Sequence, residues 1–241
     1  MNNGLVIIPT YNEIENVESI IRAVFALNKK FHILIVDDNS PDKTFEKVKE
    51  LQNEFPNQLF LKVGTKKAGL GTAYVLGFKW ALQQQYDYIF EMDADFSHNP
   101  SDLEKLLEAC SDGGADMAIG SRYIRGVNVV NWPLSRVLLS YFASVYVDVI
   151  TGMKIHDATA GFICYKKEVL QNIDLDKIKF VGYAFQIEMK YRAFCKGFKI
   201  VEVPIIFTDR TMGQSKMSNG IIKEAVFGVI SLRIKKLFNR L

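Results

Sequence analysis

Cysteine is scarce in this 241-residue chain, and the three present, Cys110, Cys164 and Cys195, lie far apart. An odd number with no C-x-x-C pair argues against a disulfide framework and against zinc. Free thiols in a reducing compartment are expected. The opening residues, MNNGLVIIPTYNE, lack the basic flank and long apolar core of a secretory leader, so no signal peptide is expected. No run of about 18 uninterrupted apolar residues occurs, and no transmembrane helix is expected; the nearest approach, residues 137–153, contains Asp148. A GxxxxGK[ST] phosphate loop is missing, and KAGLGT at 67–72 has G-x-G without the third glycine of the dinucleotide fingerprint, which disfavours a nicotinamide oxidoreductase. No serine sits in G-x-S-x-G, so a nucleophile-elbow hydrolase has no support. His32, His98 and His156 share no metal-binding spacing, and His98 reads as a helix-entry or surface residue. The net charge of +3 is too small to indicate nucleic acid, and none is expected as a partner. That charge is unevenly placed: residues 214–241 hold six Lys/Arg against Glu224, leaving the rest of the chain about −2.

What is present is an ordinary globular composition, 49% hydrophobic and 24% charged, at a length suited to one domain with a short appendage. Apolar runs at 5–8, 33–36, 59–63, 88–92 and 117–119 predict strands. Between them lie helical patterns at 14–25, 43–55, 71–85 and 101–111, the first expected to be capped by Asn12. Strands alternating with helices predict an α/β fold with a mostly parallel, Rossmann-like sheet flanked by helices. After residue 119 the rhythm breaks. A helix over 134–150, a strand at 162–165, a helix over 182–196, a proline-bearing edge strand at 199–207, a polar loop at 209–219 and a helix over 221–237 follow.

In open α/β sheets ligands bind beyond the carboxyl ends of the strands, and the polar clusters fall there: Pro9-Thr10-Tyr11-Asn12-Glu13, Asp37-Asp38, and Asp93-Ala94-Asp95. Asp93 and Asp95 are two apart, so in an extended chain they project from one face. Like charges that close repel unless a cation intervenes, and Mg²⁺ takes such oxygens together with substrate phosphates. A metal–diphosphate site is therefore expected, against the plainer reading of a solvated acidic turn. Gly69 and Gly71 supply either a turn into the next helix or a close backbone approach to a ligand. Arg122, Arg136, Arg210 and Lys216 lie in or beside loops, where arginine suits phosphate recognition and otherwise serves surface ion pairs.

PTYNE at 9–13, VDDNSPDKT at 36–44, MDADFSHNP at 92–100 and GSRY at 120–123 resemble the family 2 glycosyltransferases of GT-A fold. NWPLSR at 131–136, DATAGF at 157–162 and GQSK at 213–216 narrow the resemblance to polyprenol-phosphate (dolichol-phosphate) mannosyltransferases, over essentially the whole chain. The resemblance implies a GT-A domain over 1–219 and a C-terminal amphipathic helix over 220–241. It implies inverting transfer of mannose from GDP-mannose to a polyprenyl phosphate, giving a β-mannosyl phosphoryl lipid. Glucose or N-acetylhexosamine transfer, or an idle binding subunit of the same fold, are the rival readings. Pro9, Tyr11, Glu13, Val36, Asp38, Lys67 and Gly69 would line the nucleoside side of the donor. Asp93 and Asp95 would hold Mg²⁺ or Mn²⁺, with Ser97, where relatives carry Gln, as a weaker third ligand that water can replace. Asp95, Arg122 and Arg136 would act in catalysis, and Arg122, Arg136, Arg210 and Lys216 would bind donor and acceptor phosphates. A lipid acceptor implies a peripheral place at the cytoplasmic face of a membrane. The apolar stripe with basic end at 221–240 suits an anionic surface, and the resemblance leaves room for a small membrane-anchoring subunit.

Overall fold

A computed structural model describes residues 3–182, 184–209 and 219–238. Its first half alternates β1 (Gly4–Thr10), α1 (Val17–Phe25), β2 (Phe31–Asp37), α2 (Thr44–Glu54), β3 (Leu59–Val63), α3 (Leu70–Leu82), β4 (Tyr88–Glu91), α4 (Asp102–Ser111) and β5 (Met117–Ser121). Then come β6 (Val129–Val130), α5 (Leu134–Thr151), β7 (Ile163–Lys166), α6 (Lys167–Asn172), α7 (Ala184–Cys195), β8 (Ile200–Pro204), β9 (Phe207–Thr208) and α8 (Asn219–Leu237).

One sheet runs in the order β3-β2-β1-β4-β7-β5-β8. β1 lies parallel to β2 and β4, β2 to β3, and β5 to β8, while β7 runs antiparallel to both its neighbours. The order reverses between β1 and β4, which opens a crevice at their carboxyl ends. Alternate residues of β1 feed opposite cores. Leu5 and Ile7 pack with Tyr74, Phe78, Tyr165 and Phe185 toward α3 and α7. Val6 and Ile8 pack with Val17, Ile20, Leu103 and Leu106 toward α1 and α4. Burial on both faces explains why these strands read as unbroken apolar runs.

Several expectations are corrected. Asn12 does not cap α1: it adopts φ +57°, its amide donates to Ser40 Oγ at 3.0 Å, and the helix starts five residues later at Val17. The strand foreseen at 199–207 is two, because Pro204 ends β8 at the sheet edge and β9 pairs with β6 instead. Strands of two residues, and the short α6, are too brief for a periodicity to register. Cys110 and Cys164 are buried free thiols, and Cys195 is half-buried.

α8 packs on α7 and α5, with Val229 and Leu232 buried in the main core and the Tyr146 hydroxyl donating to Val226 O at 2.9 Å. Leu134, Phe142 and Val149 of α5, and Phe227, Leu237 and Phe238 on and after α8, are 61–76% exposed. By length and composition alone α5 is long enough and apolar enough to cross a membrane. Asp148 interrupts its apolar sequence toward the carboxyl end, and Arg136 lies in its first turn.

Candidate active site

The β1–β2 end of the crevice is built by side chains that fasten loops to one another. Asp37, wholly buried, accepts from Thr10 Oγ1, Ser40 N and Ser40 Oγ, each at 2.7 Å, and so ties the end of β1 to the turn after β2. Pro9 and Val36 face each other in the β1–β2 register. Asp38 Oδ2 accepts from the amides of Ala68 at 2.9 Å and Gly69 at 3.0 Å, which commits that oxygen to holding the loop before α3. Gly69 has φ +95°, a conformation side chains resist. At Gly71 a Cβ would lie 2.5 Å from Phe180 O, so this glycine serves close packing against the 180–181 segment. Lys67 Nζ sits 4.3 Å from the Tyr11 ring centroid. Glu13 Oε2 accepts from Asn16 Nδ2 at 3.0 Å, and its amide donates to Thr44 Oγ1.

Asp93 and Asp95 follow β4. Asp95 is 8% exposed, and its Oδ1 accepts from Ser97 N at 3.1 Å across a turn that places Phe96 at φ +57°. The Ser97 hydroxyl is buried with no hydrogen-bond partner. Two carboxylates and one unpartnered hydroxyl form an all-oxygen donor set. Among the described residues no group of three or more His, Cys, Asp or Glu gathers around a metal position. The set therefore fits a hard cation that completes its shell with water and phosphate oxygens.

His98 is a correction. It is not at the surface: it is 4% exposed, stacks on Phe162 at 4.8 Å and meets Phe207 edge-on at 5.3 Å. Burial pushes its imidazole down to about 4, so it is neutral at physiological pH. Phe207 bridges to His98, while Thr208 N donates to Ser97 O at 3.1 Å. With the β6–β9 pair, this fastens the 205–209 segment and the 129–130 segment over the carboxylates.

Arg122 is 7% exposed and locked. Nε and Nη2 donate to the two oxygens of Asp157 at 2.7 and 2.6 Å, and Nη2 also reaches Thr159 Oγ1 at 2.9 Å. Its guanidinium carbon stands 5.2 Å from the Trp132 ring centroid and 5.6 Å from that of Phe207. Burial pushes the Asp157 carboxyl up, but the Arg122 charge and hydrogen bonds outweigh this and hold it below the usual range. Arg136 lies 4.1 Å over Trp132 and pairs with Asp209 at 2.9 Å. Arg210 and Lys216 lie outside the described residues.

One cavity of about 300 Å³ joins these groups. Asp93, Asp95, Ser97, His98, Arg122 and Arg136 line its polar end; Leu139, Phe142, Ala143, Tyr146, Val226 and Val229, from α5 and α8, line the other. Pro9, Tyr11, Glu13, Val36, Asp38, Lys67 and Gly69 stand outside it, at the switch-point end of the same crevice. Gln186 also lines the cavity and carries no motif that sequence reasoning could have singled out.

A Rossmann-like sheet with its polar groups at the switch point defines a nucleotide-binding architecture. The family description that matches residues 5–174 is Glycosyl transferase family 2. The chain belongs to that family and is a glycosyltransferase. It is 48% identical over 236 residues to the polyprenol monophosphomannose synthase of Mycolicibacterium smegmatis, covering 98% of this chain and 89% of that one. It is 45% identical to the undecaprenyl-phosphate mannosyltransferase of Micrococcus luteus, covering 93% and 91%. Among solved structures, glucosyl-3-phosphoglycerate synthase from Mycobacterium tuberculosis in complex with Mn²⁺, UDP and phosphoglyceric acid shares the GT-A fold. The match has a TM-score of 0.69 at 14% identity and covers 98% of this chain and 78% of that one.

Proposed function

We propose that this glycosyltransferase moves mannose from GDP-mannose to a polyprenyl phosphate, inverting the anomeric centre to give a β-mannosyl phosphoryl lipid. The observation that carries the reading is the cavity, whose polar end holds two carboxylates and two arginines and whose far end is an apolar wall of α5 and α8. A sugar nucleotide and a phosphate on a hydrocarbon tail need that polarity gradient. The mannosyl and polyprenyl parts follow the activities named for the two bacterial relatives.

Pro9, Tyr11, Glu13, Val36, Asp38, Lys67 and Gly69 bind the nucleoside side. Asp93 and Asp95, with Ser97 as a neutral third oxygen, would hold Mg²⁺ or Mn²⁺, which would neutralise the leaving diphosphate. A phosphate oxygen of the acceptor forms the new bond to the anomeric carbon as the bond to the GDP oxygen breaks, and the electron pair leaves with GDP. The acceptor phosphate, with a second pKa of about 6, is already ionised, so no general base is needed. Arg136, Arg210 and Lys216 balance phosphate charge. Arg122, already committed to Asp157, contributes a fixed guanidinium edge rather than a mobile cation.

Residues 1–219 carry the reaction, and α5 with residues 220–241 forms the docking face at the cytoplasmic side of a membrane. α5 exposes Phe142 and Val149, and α8, which packs on it, exposes Phe227 and carries Lys235 and Lys236 in its last turn, a composition suited to an anionic lipid surface. A small anchoring subunit is the alternative occupant of that face. Incubation with radiolabelled GDP-mannose, UDP-glucose or a UDP-N-acetylhexosamine, each with polyprenyl phosphate and metal, tests the donor. Lipid-extractable label from GDP-mannose, with a β linkage by NMR, is expected; transfer from UDP-glucose alone refutes the assignment.

A further inference from the structure

Gln186, in the first turn of α7, is 1% exposed and lines the cavity. Its Nε2 donates to Glu91 Oε2, while its Oε1 has no partner. Glu91 is wholly buried on β4, two residues before Asp93, and its other oxygen accepts from the Tyr165 hydroxyl at 2.6 Å. The amide turns its nitrogen to Glu91, and the carbonyl oxygen is the atom left unsatisfied.

The 160–161 backbone lies close to that amide. Gly161, which also lines the cavity, lies next to the amide: a Cβ there would meet Gln186 Nε2 at 3.4 Å, an ordinary contact. One turn along α7, Lys190 Nζ donates to Ala160 O at 2.5 Å, which pins the 160–161 backbone across from Gln186.

We propose that Gln186 is a sugar-recognition residue: its Oε1 accepts a hydrogen bond from one hydroxyl of the transferred hexose and so contributes to donor selection. The inference rests on the cavity being a sugar-transfer site and adds a residue and an atom to it. The chemistry of the lone acceptor eliminates the other substrate parts. An ionised phosphate has no proton to donate, and an isoprenoid chain has none either. The nucleoside belongs to the Tyr11–Asp38–Lys67 end, outside this cavity. A hexose hydroxyl is the donor that remains. A buried acceptor left unpaired discriminates strongly against an analogue lacking the matching hydroxyl.

Gln186→Met keeps length and volume but removes the acceptor, and Gln186→Asn withdraws it by one methylene should the first variant fold poorly. Binding of GDP-mannose and of GDP is measured by calorimetry with Mn²⁺ present, alongside kcat/KM for monodeoxy GDP-mannose donors. In the unaltered enzyme GDP-mannose binds more tightly than GDP, and one deoxy donor falls about 10- to 100-fold in kcat/KM. In the variants GDP binding is retained, the extra affinity for GDP-mannose falls about tenfold, and the penalty for that one deoxy donor disappears. The inference is overturned if GDP and GDP-mannose weaken equally, if the deoxy penalties persist in Gln186→Met, or if the unaltered enzyme binds no sugar nucleotide more tightly than its nucleotide. Preference of the unaltered enzyme for another sugar nucleotide refutes the mannose assignment alone; the same binding comparison and deoxy series on that donor then decide Gln186.

Discussion

Replacing Asp157 with alanine should unfold the protein more readily than any surface change, because Arg122 would stay behind as a buried charge. In the intact chain Arg122 Nε and Nη2 bond both Asp157 oxygens and Arg122 N donates to Oδ2 at 2.9 Å, with Asp157 wholly buried. Thr159 Oγ1 and the faces of Tyr123, Trp132 and Phe207, which also meet Arg122, supply no carboxylate in its place. Breaking one side of such a pair costs about 3–5 kcal/mol. For a domain of this size that corresponds to a fall in Tm of roughly 6–20 °C. Thermal and urea unfolding followed by circular dichroism measure it. Arg122→Met should cost a similar amount, and the double variant Arg122→Met/Asp157→Leu less than the two singles together, by about 2 kcal/mol or more. A loss under about 1 kcal/mol in Asp157→Ala, or strict additivity in the cycle, refutes the reasoning.

The same pair fixes a pH dependence. The folded Asp157 carboxyl is held below its usual value, burial being outweighed by Arg122. Its contribution is therefore fully present above the unfolded value of about 3.9 and lost as pH falls through the lower folded value. Acid titration of stability should show this component below about pH 4 in the intact chain and none in Asp157→Ala.

Asp95→Ala should leave the fold intact and lower transfer at saturating Mn²⁺ by at least about 100-fold, the scale of removing one group that stabilises developing charge; undiminished transfer would revive the idle-subunit reading. Phe142→Ser with Phe227→Ser should weaken sedimentation with anionic vesicles by at least about tenfold, since a buried phenylalanine contributes about 2–3 kcal/mol. Unchanged sedimentation of that double variant would direct the face toward a protein partner. Gly71→Ala should cost about 1–3 kcal/mol in urea unfolding, because its Cβ meets the backbone oxygen of Phe180 rather than a side chain that can move.

The sequence exposes the parts of the fold where one periodicity runs long enough to register. The parallel strands are buried on both faces, and α1 presents Val17, Ile20, Ile21 and Val24 as one buried stripe. Their polar ends align because the topology sends every parallel strand the same way, which made Asp38, Asp93 and Asp95 visible as one edge. The parts that stayed hidden depend on partners distant in sequence. His98 looks like an exposed loop residue until Phe162 and Phe207 close on it from 64 and 109 positions further along. Nothing near Arg122 in the sequence announces that Asp157, 35 residues on, binds Nε and Nη2 along one edge of its guanidinium. α5 carries Arg136 and Asp148 near its ends, so its apolar residues form no unbroken run even though the structure leaves many of them exposed.

α7 shows why such charges are worth burying. Phe185 through Ala193 are all buried, although the segment contains Gln186, Glu188, Lys190 and Arg192. Residues four apart share a helix face, and residues two apart fall on nearly opposite ones. Gln186 and Lys190 thus serve the cavity through Glu91 and Ala160 O. Glu188 and Arg192 serve the other side: Glu188 Oε2 accepts from the amides of Lys179 and Phe180, and Arg192 bonds Glu188 Oε1 and Lys177 O. Phe180 O is the atom against Gly71, and the next residue, Val181, accepts from Gly71 N. Gly71 lies in the first turn of α3, and Gly69 before it donates to Asp38. One helix therefore positions the cavity wall with one pair of polar residues and the 69–71 segment with the other. Burial pushes Glu91 up to about 7 and Lys190 down to about 8, so these groups are costly to keep ionised where they stand. An apolar α7 would pack at least as well, but it would leave the amides of Lys179 and Phe180 unpaired, the Ala160 loop unpinned and the two ends of the crevice without a common support.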